Sequence, residues 1–359
     1  MNDVLFIGAG TKGAKKIGNN FQPYIVIQGK TCIEHIFEAV YGSKIARKIY
    51  MWGDKKKLER LLKDMMSKMI EKGFTVTIID EKQTPFESFL FAYFEYISDR
   101  RLKQTVQSWK GIKDIDWDYL IEYAKEKGIL EEQISTILSD TPLITSQEID
   151  YMMSHRDEKL DVIFGRTFKG AFEEVLTHID EKFADNLAVK NFYYYVIKKK
   201  EVGLIVNSFF AGKPLKLDKR LWEILINFFE NRTIIKGRRF NFKKIKNNYN
   251  HIKNFLFSQT REKKGEYASI MKSNLFLLKA YRSIVKNLKS GREYRDLSIL
   301  FSKIKDVTGL KIEYQISDCV GAAFDIDTPY EADYINRHYV TLTEKIRDLS
   351  CNPKQRSIG

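Results

Sequence analysis

The sequence predicts an α/β protein with a mostly parallel sheet flanked by helices. Segments with strand and helix patterns alternate through the first 165 residues, as expected where helices connect parallel strands. Short apolar runs of strand length are followed by turn residues, and the segments between them repeat apolar residues at helical spacing. The chain of 359 residues is 43% hydrophobic and 13% aromatic, which is enough apolar surface for a substantial core.

Five segments have the pattern of core strands, namely residues 4–7, 48–52, 74–79, 133–138 and 161–165, and a last strand-like segment covers residues 312–326. Helices are predicted after residue 31, over residues 85–97 and after residue 145. A single helix capped by Asp54 and ended by Gly73 is also expected. Thr31 with Glu34, and Thr145 with Glu148, have the spacing of capping boxes, which supports the two corresponding helix starts.

Two stretches interrupt the alternation and are interpreted as largely helical insertions. Residues 99–128 exceed an ordinary crossover and contain their own helical signals. Residues 183–267 are dominated by Tyr, Phe and Lys. The expected organisation is therefore a core in two parts, residues 1–182 and 268–345, a basic aromatic insertion at 183–267, and a C-terminal tail at 346–359.

The composition argues against several classes of protein. No apolar run reaches the ~18–20 residues that span a bilayer, and the first residues carry an acid where a signal peptide has a basic region. Three scattered cysteines do not predict a disulfide framework or a CxxC zinc site, and the five histidines lack HExxH spacing. We therefore expect a cytoplasmic protein that is not a zinc hydrolase. Peripheral contact with a membrane stays compatible with these features.

The charge balance predicts anionic partners. Lysine and arginine outnumber the acids by 61 to 47, a net charge of +14, and between Lys236 and Lys264 ten basic residues accompany one acid. Aromatic residues interleave with the basic ones at residues 238–244, a pattern that can stack on bases and pair with phosphates. A solvated amphipathic surface is the commoner reason for such a run, so nucleic acid is not the expected partner.

A glycine-rich loop follows the first strand. Gly8, Gly10 and Gly13 match GxGxxG, and glycines at such a place let backbone N–H groups approach phosphate closely. A dinucleotide-binding fold would require this loop to open directly into a helix, but Gly18 and Pro23 interrupt any helix there. The loop is therefore interpreted as a triphosphate site, with a plain strand–turn as the alternative. Gly8, Ala9, Gly10, Thr11 and Gly13 are its expected nucleotide-binding residues, and Lys12 and Lys15 its expected charge-neutralising, catalytic residues.

Two acid–Thr–Pro turns follow strand-like segments. The first begins at Asp140, after the fourth strand, and the second begins at Asp327, near the end of the chain. The carboxyl ends of parallel strands form the ligand crevice of such folds. Mg²⁺ favours one or two carboxylates together with phosphate oxygens. Asp140 and Asp327 are therefore candidate Mg²⁺ ligands, with simple closure of a turn as the alternative.

The order of these motifs resembles the MobA-like nucleoside triphosphate transferases, nucleotidyltransferases with a Rossmann-like, GT-A type fold. The resemblance is carried by the glycine loop, the segment 23–30 leading into Ile33-Glu34-His35, and the turns at Asp140 and Asp327. It covers about residues 1–98, 130–182 and 272–339. The chain departs from the family pattern at Tyr24, where members have a lysine, so Lys12 or Lys15 is expected to replace it, unless activity has been lost.

The resemblance implies an activity and a set of ligands. Mg²⁺-dependent transfer of a nucleoside monophosphate from an NTP to a phosphorylated acceptor, with release of pyrophosphate, is the expected reaction. Asp140 would act in catalysis and hold Mg²⁺ with Asp327, while the glycine loop would wrap the NTP phosphates. Sugar, alditol and amino-alcohol phosphates are the expected acceptors, free or lipid-linked.

Two other functions remain open from the sequence. A GT-A glycosyltransferase would hold a metal on a nucleotide-sugar through an Asp-x-Asp pair. Asp325 and Asp327 form such a pair, but at the end of the chain, whereas the middle strand is followed by Ser139 and Asp140. An inactive relative that binds nucleic acid through the basic insertion is the further alternative.

Overall fold

One sheet organises the protein. The computed structural model describes residues 3–12, 14, 16–176, 192–197, 200–217, 219, 221–223, 226, 235–236, 239–240, 250, 305–306 and 308–351. The strands of the sheet are β1 (Val4–Ala9), β2 (Lys48–Gly53), β3 (Thr75–Asp80), β4 (Ile134–Leu138), β5 (Val162–Phe168), β6 (Phe192–Ile197), β7 (Lys200–Gly212) and β8 (Ile312–Ser317). Their spatial order is β8-β5-β7-β4-β1-β2-β3, and β6 pairs with β7 outside this path.

Most strand pairs of the sheet are parallel. β1 pairs in parallel with β2 and β4, β2 with β3, and β5 with β8. β7 is antiparallel to its neighbours β4, β5 and β6. The predicted Rossmann-like α/β fold with a mostly parallel sheet is therefore confirmed.

Helices cover both faces of the sheet because successive side chains of each strand point to opposite faces. Within β1, Leu5 and Ile7 pack in the apolar cluster that holds α1, whereas Val4 and Phe6 pack in the cluster that holds α4. The helices are α1 (Cys32–Gly42), α2 (Lys55–Leu61), α3 (Lys63–Glu71), α4 (Pro85–Ile97), α5 (Arg100–Val106), α6 (Trp117–Lys127), α7 (Ser146–Ser154), α8 (Lys169–Leu176) and α9 (Pro329–Cys351). None of the helices in the described ranges is both long enough and apolar enough to cross a membrane.

Two predicted elements are shorter than expected. The prediction of a single helix between Asp54 and Gly73 is wrong, because this segment forms two helices, α2 and α3. Leu62 separates them with φ −98° and ψ 6°, outside the helical region, while its side chain is buried. The last strand stops at Ser317 and not at residue 326. A short 3₁₀ turn, Gly321–Ala323, follows it, and a Cβ on Gly321 would lie 2.3 Å from the Leu143 carbonyl oxygen. Glycine, which has no Cβ, permits this close approach of the two backbone segments.

The two predicted insertions differ in outcome. Residues 99–128 contain α5, a 3₁₀ turn (Ile112–Asp114) and α6, as expected of a helical insertion. The helical interpretation of residues 183–267 is wrong for β6 and β7, which are strands of the main sheet. Aromatic and β-branched residues favour strands, and β7 supplies hydrogen-bonding partners to both β4 and β5. The core sheet therefore continues past the predicted boundary at residue 183.

Candidate active site

Four loops leave the same edge of the sheet. In the parallel register Ala9 lies beside Gly53, Gly53 beside Asp80, and Gly8 beside Leu138, so β1 to β4 end at a common level. The Glu81 N–H donates to the Gly53 carbonyl at 2.9 Å and the Ser139 N–H to the Gly8 carbonyl at 3.0 Å. This edge therefore gathers the glycine loop, Asp54, Glu81 and Asp140, as expected for the ligand edge of a parallel sheet.

The glycine loop is held by the carboxylate of Glu81. The Thr11 N–H and hydroxyl donate to this carboxylate, each at 2.6 Å, and the Lys12 N–H donates to it at 3.0 Å. A Cβ on Gly10 would lie 2.8 Å from a Glu81 oxygen, and a Cβ on Gly8 would lie 2.7 Å from the Trp52 ring. The absence of a Cβ at Gly8 and Gly10 thus lets Trp52 and Glu81 approach the backbone closely. The N–H groups of Thr11 and Lys12, which belong to the loop predicted to bind phosphate, are directed at the Glu81 carboxylate.

The other predicted loop residues have different positions. Ala9 is fully buried in β1, so its side chain packs in the core and cannot contact a ligand. Lys12 is exposed beside the loop, where its ammonium is available to an anion. Gly13 and Lys15, both predicted to contact the nucleotide, lie outside the described residues.

The two acid–Thr–Pro turns meet, although most of the chain separates them in sequence. The Ile326 N–H donates to the Asp140 carbonyl at 3.0 Å, and the Asp327 N–H donates to a Glu331 oxygen at 2.8 Å. Burial raises the pKa of Asp325 to about 8, assisted by the negative charges of Asp140, Asp327 and Glu331. The two turns that carry Asp140 and Asp327, predicted as neighbours in one site, are therefore joined by the backbone bond between Ile326 and Asp140.

A short turn connects the glycine-loop side of the edge to this acidic side. Residues Gln22–Tyr24 form a 3₁₀ turn between the loop and α1. The Gln22 side-chain amide donates to the Ile326 carbonyl at 2.7 Å and to an Asp327 oxygen at 3.0 Å. At the other end of the turn, the Tyr24 ring is 3% exposed and lies 3.5 Å from Lys57 Nζ, measured to the ring centroid.

Sequence reasoning missed Gln22, Lys57 and Glu81. Glu81 directly follows β3, and an acid at the carboxyl end of a parallel strand indicates a candidate ligand residue. The same argument that selects Asp140 and Asp327 therefore also points to Glu81. Gln22 and Lys57 stand in no recognisable motif. Their positions became visible only through contacts with residues far away along the chain.

The acidic side fits a magnesium ion that binds together with phosphate. Burial, and after it the charges of Asp140, Asp327 and Glu331, raise the pKa of Asp325, and a divalent cation at this place would offset the negative charge gathered there. Over the described ranges, no three His, Cys, Asp or Glu side chains are arranged to hold a metal on their own. Mg²⁺ is characteristically held by one or two carboxylates plus substrate phosphates, so the two predicted ligands, Asp140 and Asp327, would be enough in number for it.

Comparisons with known proteins give distant structural similarities. No protein family and no curated protein sequence matches the chain. A hypothetical transferase from Thermus thermophilus is 10% identical with a TM-score of 0.43, covering 92% of this chain and 100% of that one. The CMP:2-keto-3-deoxy-manno-octonic acid synthetase complexed with CTP is 10% identical with a TM-score of 0.39, covering 94% and 98%. The 4-diphosphocytidyl-2C-methyl-D-erythritol synthase from Anaerococcus prevotii is 12% identical with a TM-score of 0.36, covering 94% and 95%. Likenesses at this level do not establish a family for the chain.

Proposed function

We propose that the protein is a Mg²⁺-dependent nucleotidyltransferase, an enzyme that transfers a nucleoside monophosphate from an NTP to a phosphorylated acceptor. The observation that carries this proposal is that the glycine loop and Asp140 follow neighbouring strands that end at one edge of the sheet, where the Asp327 turn is bonded to Asp140 and to Gln22. An NTP site requires close backbone approach and cations for its phosphates, and carboxylates for its metal. Both requirements have candidate residues within this edge.

In the proposed reaction an acceptor phosphate oxygen attacks the α-phosphorus of the NTP in line, and pyrophosphate leaves. The bond from the α-phosphorus to the bridging oxygen breaks as the new phosphorus–oxygen bond forms. An acceptor phosphate is already an anion at neutral pH, so no protein group has to remove a proton. The chain therefore contributes positioning and charge neutralisation, which dominate phosphoryl-type transfers.

Each residue of the edge has a role in this proposal. Asp140 and Asp327 would hold Mg²⁺, which when bound supplies positive charge to the phosphate oxygens. Lys12 would neutralise charge on the glycine-loop side, and Lys15 is proposed for the same task. Gln22 would hold the Asp327 turn in place, because its amide bonds to that turn while its backbone belongs to the 3₁₀ turn between the glycine loop and α1.

The acceptor is proposed to be a sugar, alditol or amino-alcohol phosphate, free or lipid-linked. The basic insertion would select it, since its lysines, such as Lys243, Lys244 and Lys246, attract phosphorylated groups. These three lysines lie outside the described residues.

A pyrophosphate-release assay tests the proposal. Each of the four NTPs is combined with a panel of acceptor phosphates, with Mg²⁺ or with a chelator. One NTP–acceptor pair is expected to release pyrophosphate only with Mg²⁺, and Asp140→Asn should slow this turnover about 100-fold or more, because an amide cannot carry the charge that holds the metal. Asp118→Asn, an exposed position on α6, controls for the chemical change. Normal turnover by folded Asp140→Asn protein would remove Asp140 from the mechanism, and turnover of no NTP would refute the proposed activity.

A further inference from the structure

Among the residues that the structure describes, Lys57 has no ion pair, and it lies at the end of the sheet that carries the glycine loop. Its Nζ lies 3.5 Å from the centroid of the Tyr24 ring, and no carboxylate oxygen of the described residues comes within the 4.0 Å of an ion pair. The preceding lysines of α2 differ from it, because Lys55 pairs with Glu59 at 3.8 Å and Lys56 is exposed. No acid in the described part of the chain therefore offsets the charge of Lys57 at contact distance.

Two contacts fix the position of Lys57. Its backbone N–H donates to the Asp54 carboxylate at 3.1 Å, which caps the first turn of α2. Its ammonium lies over the face of Tyr24, whose ring is packed in the core and attracts a cation through its π electrons. The ammonium is thus held in place by an aromatic surface that does not cancel its charge.

The first turn of α2 places Lys57 at the end of the sheet that carries the glycine loop. Asp54 caps α2 directly after Gly53, and Gly53 lies beside Ala9 in the parallel register of β1 and β2. The Gly53 carbonyl also accepts the Glu81 N–H at 2.9 Å. Glu81 in turn accepts the N–H groups of Thr11 and Lys12. With these N–H groups occupied and a carboxylate beside them, a triphosphate in the loop needs positive charge from side chains.

We propose that Lys57, held over the Tyr24 ring, contacts the triphosphate of an NTP bound at the glycine loop. This inference rests on the proposed function. The four-carbon stem of lysine lets the ammonium move from the ring face to a phosphate oxygen while the α2 backbone stays fixed. Because such a contact recognises phosphate charge and not the base, it should distinguish an NTP from the corresponding NMP.

Calorimetric binding of the four NTPs and their NMPs to the full chain tests this role. Lys57→Met removes the charge and keeps most of the stem, Lys57→Arg keeps the charge, and Lys56→Met is the matched control on the adjacent, exposed position. Lys57→Met should weaken binding of the preferred NTP about tenfold or more and of its NMP less than about threefold. Lys57→Arg should restore most of the NTP affinity, and Lys56→Met should bind like the unmodified protein. Lys57→Gln replaces Lys57→Met if thermal unfolding shows that the methionine variant does not fold.

The remaining outcomes separate the two proposals. If the unmodified protein binds an NTP and Lys57→Met binds it equally well, the role of Lys57 is overturned and the proposed function stands. Equal losses of NTP and NMP affinity would make Lys57 a structural residue and also overturn its role. If the unmodified protein binds no NTP, the proposed function fails, and the role of Lys57 fails with it.

Discussion

The buried carboxyl of Glu148 should make the fold less stable as the pH rises from about 4.5 to about 7. Glu148 lies in the first turn of α7 and is 1% exposed. One of its oxygens accepts the Thr145 N–H at 3.0 Å, and the other accepts the Gly321 N–H at 2.7 Å. Burial outweighs these bonds and raises the pKa of Glu148 from 4.5 to about 7.

The size of the effect follows from the difference in proton binding. The unfolded chain loses this proton near pH 4.5, whereas the folded chain keeps it up to about pH 7. Between these values the unfolded state binds fewer protons, so the free energy of unfolding falls by about 1.4 kcal/mol for each pH unit. The contribution is fully present below pH 4.5 and amounts to about 3 kcal/mol, all of it lost above about pH 7.

Urea unfolding of Glu148→Gln, followed by circular dichroism at pH 4.5, 6 and about 7.5, measures this contribution. Glutamine cannot ionise, and it has one acceptor oxygen fewer, which costs about 1–3 kcal/mol at every pH. The stability advantage of the unmodified protein over the variant should therefore shrink by about 3 kcal/mol between the lowest and the highest pH.

Glu87→Gln is the matched control, because Glu87 closes the capping box of α4 with the same contacts to Thr84. Subtracting its pH profile removes the general effect of changing a capping glutamate. Parallel profiles for the unmodified protein and Glu148→Gln would refute the reasoning, since the bonds from Thr145 and Gly321 would then compensate fully for burial.

Two glycines of the edge give further predictions. Gly10→Val places side-chain atoms where a Cβ would already lie 2.8 Å from a Glu81 oxygen, so it should weaken NTP binding in a calorimetric titration; unchanged affinity would place the nucleotide elsewhere. Gly53→Ala places a Cβ 2.7 Å from the Ala9 carbonyl oxygen and 2.6 Å from a Leu58 methyl group. It should lower the free energy of unfolding by about 1–3 kcal/mol, read from the urea midpoint, and an unshifted midpoint would show that β1 and β2 can separate without cost.

Local features were predictable from the sequence because their physical causes act within a few residues. The helix at residues 85–97 was predicted with the bounds that it has, since Pro85 begins it and its apolar residues repeat at helical spacing. The capping boxes at Thr31 and Thr145 join residues three apart, and both are present. The strand ends that carry Asp140 and the glycine loop were found in the same way, and parallel pairing then places them at one edge.

Contacts between distant residues depend on how the elements pack, and no local period encodes them. Thr11 and Glu81 are 70 positions apart and meet because β1, β2 and β3 pair in register. β7 was not predicted as a strand of the sheet because it lies between β4 and β5 and pairs with both. The sequence of β7 does not show that these two strands leave a position for it. Lys57 is one of three consecutive lysines, and packing of α2 against the Tyr24 ring distinguishes it from the other two. Most strands of the sheet, and the edge at which the glycine loop and Asp140 lie, were therefore predictable from local patterns. The partners of each charged group required the packed chain, because a charge responds to whatever lies within a few ångströms in space.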